Sequence, residues 1–87
     1  MDRLQAMTVF AAVADTGSFT KAASQLRVSA PAVTRAVAAL EDRLGARLFL
    51  RTTRVVRVTE AGARFREDCR RILADIEESE GAAAGSH

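Results

Sequence analysis

Residues 18–45, SFTKAASQLRVSAPAVTRAVAALEDRLG, decide how this chain folds. An Ala-rich stretch, Phe19 to Leu26, has the spacing of a short helix. Three turn-like residues follow, Arg27-Val28-Ser29, and a second amphipathic helix runs from Ala30 to Leu44. Ser18 is placed to cap the first of these helices and Ser29 the second, because a serine hydroxyl accepts from backbone N–H groups that have no partner inside the helix. Pro31 falls in the first turn, where no intrahelical donor is lost. Val33, Val37, Leu40 and Leu44 recur at i, i+4, i+7 and i+11 and form one narrow apolar arc. Gly45 then stops the helix. Two short helices joined by so tight a turn predict a helix-turn-helix, a unit whose second helix typically enters the major groove of DNA.

The flanks extend this pattern. Upstream, a helix is predicted from Asp2 or Arg3 to about Ala14, with Leu4, Met7, Phe10 or Ala11, and Ala14 on its inner face; Asp2 favours its N-terminus. Thr16-Gly17-Ser18 breaks it. Downstream, Leu48-Phe49-Leu50-Arg51 and Arg54-Val55-Val56-Arg57-Val58 flank the dipeptide Thr52-Thr53, which predicts a small β-hairpin, the wing of a winged variant, over residues 47–58. Thr59 caps a last helix, Glu60 to about Glu80. About 20 helical residues extend about 30 Å, the width of a small domain, so its far end has little of its own chain to cover. Phe65, Cys69, Ile72, Leu73 and Ile76 form its stripe, which can pack on the first helix of the same chain or pair with a second copy. Pairing is expected, because the helix outruns its domain, with Cys69 a small buried apolar residue. Residues 81–87 read as a flexible tail. The expected fold is mainly α: a winged helix-turn-helix domain over 1–59, then a dimerisation helix over 60–80.

Charge is segregated along the 87 residues. The net charge is +2, but residues 27–59 carry seven arginines against Glu41 and Asp42, a net +5, whereas residues 60–87 carry a net −3. A basic block beside a helix-turn-helix is the footprint of a polyanion. On the helix beginning at Ala30, the face opposite the apolar arc holds Pro31, Thr34, Arg35, Ala38, Ala39 and Asp42. Arg35 points away from the core among small neighbours, suited to guanine O6 and N7 or to a phosphate. Thr34 suits a thymine methyl or a phosphate. Ser29 and the first backbone donors suit a phosphate. Arg51 and Arg54 bracket the wing turn and can follow the backbone or enter the minor groove. Glu41 and Asp42 repel phosphate, which turns the end of that helix out of the groove.

Catalysis finds no support. The only histidine is His87, in the tail, and there is no nucleophile–base pair, metal-ligand spacing or glycine-rich phosphate loop. No cofactor or metal is expected. The single cysteine, Cys69, cannot form an internal disulfide, and no apolar run reaches membrane-spanning length. A cytoplasmic protein is expected. The competing reading is a helical protein-interaction module that dimerises through its last helix and does not bind DNA.

In order and spacing, FAAVADTGSFTKAASQL (10–26), SAPAVTRAVAALEDRLGARLF (29–49) and RTTRVVRVTEAG (51–62) resemble the DNA-binding region of LysR-type bacterial transcription regulators. The resemblance covers about residues 1–80. It implies a dimer on an interrupted inverted repeat of double-stranded DNA. By position it implies that Ser18 and Thr20 meet phosphate, that Ser29, Ala30, Pro31, Thr34 and Arg35 belong to the recognition helix, and that Arg51 and Arg54 are the wing arginines. Ala30 stands where such proteins commonly carry Gln, so a base-reading amide is missing. Regulators of this kind continue into a ligand-sensing domain of two α/β lobes, to which any small-molecule effector belongs; the sequence reads as a DNA-binding fragment without it or as a natural short form, the fragment being favoured.

Overall fold

A computed structural model describes residues 1–52 and 55–85. The chain folds as α1 (Arg3–Thr16), α2 (Phe19–Leu26), α3 (Ala30–Leu44), β1 (Phe49–Arg51), β2 (Val56–Val58) and α4 (Glu60–Ala83). The strands pair antiparallel, with Phe49 opposite Val58, Leu50 opposite Arg57 and Arg51 opposite Val56. The winged helix-turn-helix read from the sequence is therefore the observed architecture. Thr53 and Arg54 of the expected wing, and His87 of the tail, lie outside the described residues.

Local chemistry sets each helix start. Asp2 accepts from the Gln5 N–H at 2.8 Å while its own N–H donates to Gln5 Oε1 at 3.1 Å, a reciprocal cap on α1. Ser18 Oγ accepts from Lys21 N, Ser29 Oγ from Ala32 N, and Thr59 Oγ1 from Gly62 N. Gly17 and Gly45 end α1 and α3 in the left-handed region, at φ 68° and 66°. The stop of α2 is less ordinary. Arg27 adopts φ 59°, a conformation that disfavours a Cβ, and the Val28 N–H reaches back to Ala23 O at 3.0 Å. That closure makes the turn to α3 so short.

The core lies where α1 meets α2, α3 and α4. α1 buries Ala6, Met7, Val9, Phe10 and Val13. Met7 and Phe10 lie inward as expected and Ala14 packs at the edge of the core, but Leu4 is 43% exposed. α1 is covered by three other helices, so its buried face is broad and centred on Phe10 and Val13. α3 buries Val33, Ala36, Val37 and Leu40 as its arc requires, but Leu44 is 44% exposed because the last turn of α3 runs past the core. α4 continues to Ala83, a turn further than the sequence implied, on helix-favouring alanines.

All four aromatic side chains of the protein form one chain. Phe65 of α4 lies 5.2 Å from Phe10 of α1, Phe10 lies 5.2 Å from Phe49 of β1, and Phe49 lies 5.8 Å from Phe19 of α2, centroid to centroid. Such tilted and edge contacts are favourable beyond the area they bury.

The wing is fastened at its root. Thr59 N donates to Leu48 O at 2.9 Å, and the Thr59 hydroxyl donates to Arg47 O at 2.6 Å. Gly62, buried in the first turn of α4, lies so close to Leu48 that a Cβ would run into the Leu48 carbonyl oxygen. That atom is backbone and cannot rotate away, so overpacking here costs about 2 kcal/mol or more. Gly62→Ala is expected to lower the thermal unfolding midpoint by several degrees. Unchanged melting would show that α4 is not fixed at this contact.

Candidate nucleic-acid interface

The N-termini of α2 and α3 carry most of the positions expected to contact DNA. Thr20, Ser29, Pro31, Thr34 and Arg35 are exposed, and Ser18 and Ala30 are half-buried. Each cap serine uses its oxygen as an acceptor for its own helix, through Lys21 N or Ala32 N, and keeps its O–H to donate to an anion. α3 presents Pro31, Thr34, Arg35, Ala38, Ala39 and Asp42 outward, as its periodicity requires, and the alanines leave the helix backbone close to whatever it faces. Arg35 is not isolated. It lines a groove with Arg43 of α3, beneath Met1 and Ala6 at the start of α1. Arg43 lies two turns further along α3, and i, i+4, i+8 spacing from Arg35 through Ala39 was the signal that joins them.

The electrostatics divide the molecule. All four arginines of α4 have acidic partners. Arg64 pairs with Glu60 at 3.3 Å, Arg70 with Glu67 at 3.6 Å, Arg71 with Asp68 at 3.2 Å, and Arg66 with Asp15 of α1 at 2.6 Å. These pairs add little stability in water, but they cancel the cationic character of the helix. In the basic block, Arg51 alone among the described residues is ion-paired. Among the described residues, arginines without an acidic partner are thus concentrated on α3 and the segments flanking it.

Glu41 departs from expectation. It is not an acid turned outward at the end of α3: it is only 8% exposed and faces the wing root. Its Oε2 accepts from Leu48 N at 2.8 Å and from Phe49 N at 3.4 Å. Two backbone donors that β1 would otherwise bury unpaired are satisfied this way, the requirement that holds a carboxylate inside. Arg51, expected to extend from the wing, has its guanidinium carbon 4.4 Å from the centre of the Phe19 ring and Nη2 4.0 Å from Glu41 Oε1. Sequence reasoning passed over Glu41 because an acid next to Asp42 reads as solvated, and passed over Phe19 as a platform because it reads as core.

The stripe of α4 is divided between two environments. Cys69 is fully buried, and Phe65 and Leu73 pack on the same core. A side chain with no exposed surface adds nothing to a contact with another chain, so Cys69 belongs to the fold of its own chain, and Phe65 does so largely. α1 lies against this part of α4 and takes those side chains. Ile72 is 37% exposed and Ile76 partly so; beyond them α4 outruns α1. Burial, with Asp68 beside it, pushes the Cys69 thiol up to about 11, which makes it unreactive at neutral pH. Among the described residues no group of His, Cys, Asp and Glu is placed to hold a metal, and no helix is long and apolar enough to cross a membrane.

Residues 4–63 match the bacterial regulatory helix-turn-helix proteins of the lysR family. The HTH-type transcriptional activator AaeR of Escherichia coli K12 is 44% identical over 78 residues, covering 90% of this chain and 25% of AaeR. An HTH-type transcriptional regulator of Xanthomonas campestris pv. campestris is 49% identical over 74 residues, covering 85% of this chain and 22% of the relative. The chain thus spans about a quarter of the length of the curated relatives it matches. Among solved structures, the CbnR DNA-binding domain in complex with DNA superposes with a TM-score of 0.90 at 38% identity, covering 99% of this chain and 98% of that one. The BenM DNA-binding domain in complex with catB site 1 DNA gives 0.89 at 31% identity, with the same coverage. A match over most of the chain, in sequence and in fold, identifies it: the protein belongs to the LysR family of bacterial regulatory helix-turn-helix proteins.

Proposed function

We propose that this chain binds double-stranded DNA sequence-specifically, as a homodimer, and is the DNA-binding part of a LysR-type transcription regulator. The observation that carries the reading is the outward face of α3, with Thr34 and Arg35 exposed among alanines beside two capped helix N-termini. Its closest support in kind is that CbnR and BenM domains of the same fold and extent are found on DNA. A module that dimerises without touching DNA has no comparable support. The relatives are transcription regulators, which supports reading this chain as part of a regulator rather than of an enzyme. Action on chromosomal DNA implies the bacterial cytoplasm.

In this reading the domain comprises residues 1–59 and α4 is the linker that pairs two copies. Arg35 reads a base, with Thr34 in support. Ser18, Thr20 and Ser29 hold phosphates, Ala30 and Pro31 let the start of α3 approach closely, and Arg54 follows the wing's contact with the backbone. Two copies of α3 then enter successive major grooves on one face of an interrupted inverted repeat. Ile72 and Ile76 cover one another across the pair, flanked by Leu73. An effector acts only through a further domain of the whole protein.

Selection of bound duplexes from a random pool tests the reading directly. Enrichment of a two-fold symmetric site is expected; enrichment of none would end it. On the selected duplex, Arg35→Ala is expected to weaken binding by roughly 10- to 100-fold, the worth of one bidentate base contact, and to weaken binding to scrambled DNA far less. Equal losses would make Arg35 a phosphate contact. Arg54→Ala is expected to lower affinity on both duplexes and to reduce the slope of log affinity against log salt by about 0.9, the signature of one phosphate contact. An unchanged slope would remove Arg54 from the backbone contacts. Ile72→Asp combined with Ile76→Asp is expected to shift the protein from dimer to monomer in sedimentation while the fold of each chain persists. A dimer that survives this change would place the pairing surface elsewhere.

A further inference from the structure

One guanidinium ties together the three elements that make up the binding face. Arg51 belongs to β1, its face lies over the ring of Phe19 at the start of α2, and its Nη2 lies beside Glu41 of α3. Glu41 in turn accepts from the N–H groups of Leu48 and Phe49, immediately before Arg51 in the chain. The side chain of Arg51 keeps only 35% of its exposure and that of Glu41 only 9%. A phosphate at Arg51 would have to compete with Glu41 for a guanidinium whose face is already set on Phe19.

We propose that Glu41 and Arg51 are a positioning pair: they lock the wing root to α2 and α3 so that the wing meets DNA at a fixed distance from the recognition helix, and Arg51 does not itself hold the duplex. The proposal rests on the DNA-binding reading and departs from the role that the resemblance implied for Arg51. It also gives a role to Glu41, an acid that electrostatics alone would remove from a DNA-binding surface.

Two substitutions separate positioning from direct contact, because for each the two roles predict different results. Arg51→Lys keeps the charge and the reach to a phosphate but loses the planar group that stacks on Phe19 and faces Glu41 with its edge. Glu41→Gln keeps an oxygen to accept from Leu48 N and Phe49 N, and it removes a negative charge beside a polyanion, a change that by field effects alone tightens binding. Affinity is measured by gel-shift titration on the duplex recovered from the random pool, at a temperature where circular dichroism shows each variant folded. Positioning predicts that each variant binds roughly fivefold more weakly and that the double variant is no worse than the weaker single one, since both break the same link. Wild-type affinity in Arg51→Lys, tighter binding in Glu41→Gln, or additive losses in the double variant would each overturn the proposal. These results are distinct from failure of the underlying reading, in which the unmodified protein enriches no duplex at all.

Discussion

Phe10 is the contact on which the structure depends. Its ring is fully buried in α1 and touches Phe65 of α4 on one side and Phe49 of the wing on the other, and Phe49 passes the contact on to Phe19. A chain of 87 residues has a modest core, and this one has no Trp or Tyr. The four phenylalanines are therefore set in a row, with Ala22, Ala23 and Ala36 allowing the helices to approach around them. The arrangement makes the helix-turn-helix, the wing and the long helix one body. The wing has only three residues per strand, too few to stand alone, and is held by Phe49 below and by Thr59 and Glu41 at its root.

Charge is handled by the same economy of means. The acids of α4 neutralise that helix's own arginines, and Asp15 takes Arg66, leaving the basic block around α3 as the positive surface. Glu41 is the exception that this segregation makes intelligible. It is the one buried charged residue among those described, held in place by the N–H groups of Leu48 and Phe49. With 8% of its surface exposed, this carboxylate presents little of its charge to solvent.

Much of this was legible in the sequence because it is written locally. Ser18, Ser29 and Thr59 cap their helices, Gly45 ends α3, and Pro31 marks its first turn, so the element boundaries follow from neighbours a few residues apart. What was illegible depends on distant parts of the chain. α1 has Ala or Val on nearly every side, so its inner face is set by the helices that cover it. Glu41 turns inward where Leu48 and Phe49, seven and eight residues on, bring their N–H groups to it. Phe65 and Cys69 lie on the same stripe as Ile72 and Ile76, and periodicity cannot say where α1 stops covering that stripe. The outward face of α3 was readable from spacing, whereas the groove that Arg35 shares with Arg43 needs the start of α1 to close it.

The burial of Cys69 has a practical side. Burial, with Asp68 beside it, pushes the thiol up to about 11, and the side chain has no exposed surface. Cys69 is therefore a poor target for alkylating reagents at neutral pH. A single cysteine introduced at an exposed position of the wing or of α4 would carry a fluorophore or spin label alone, with the native residue left in place. Distances between two such labels would then report whether two chains pair as proposed and how far apart their α3 helices are held.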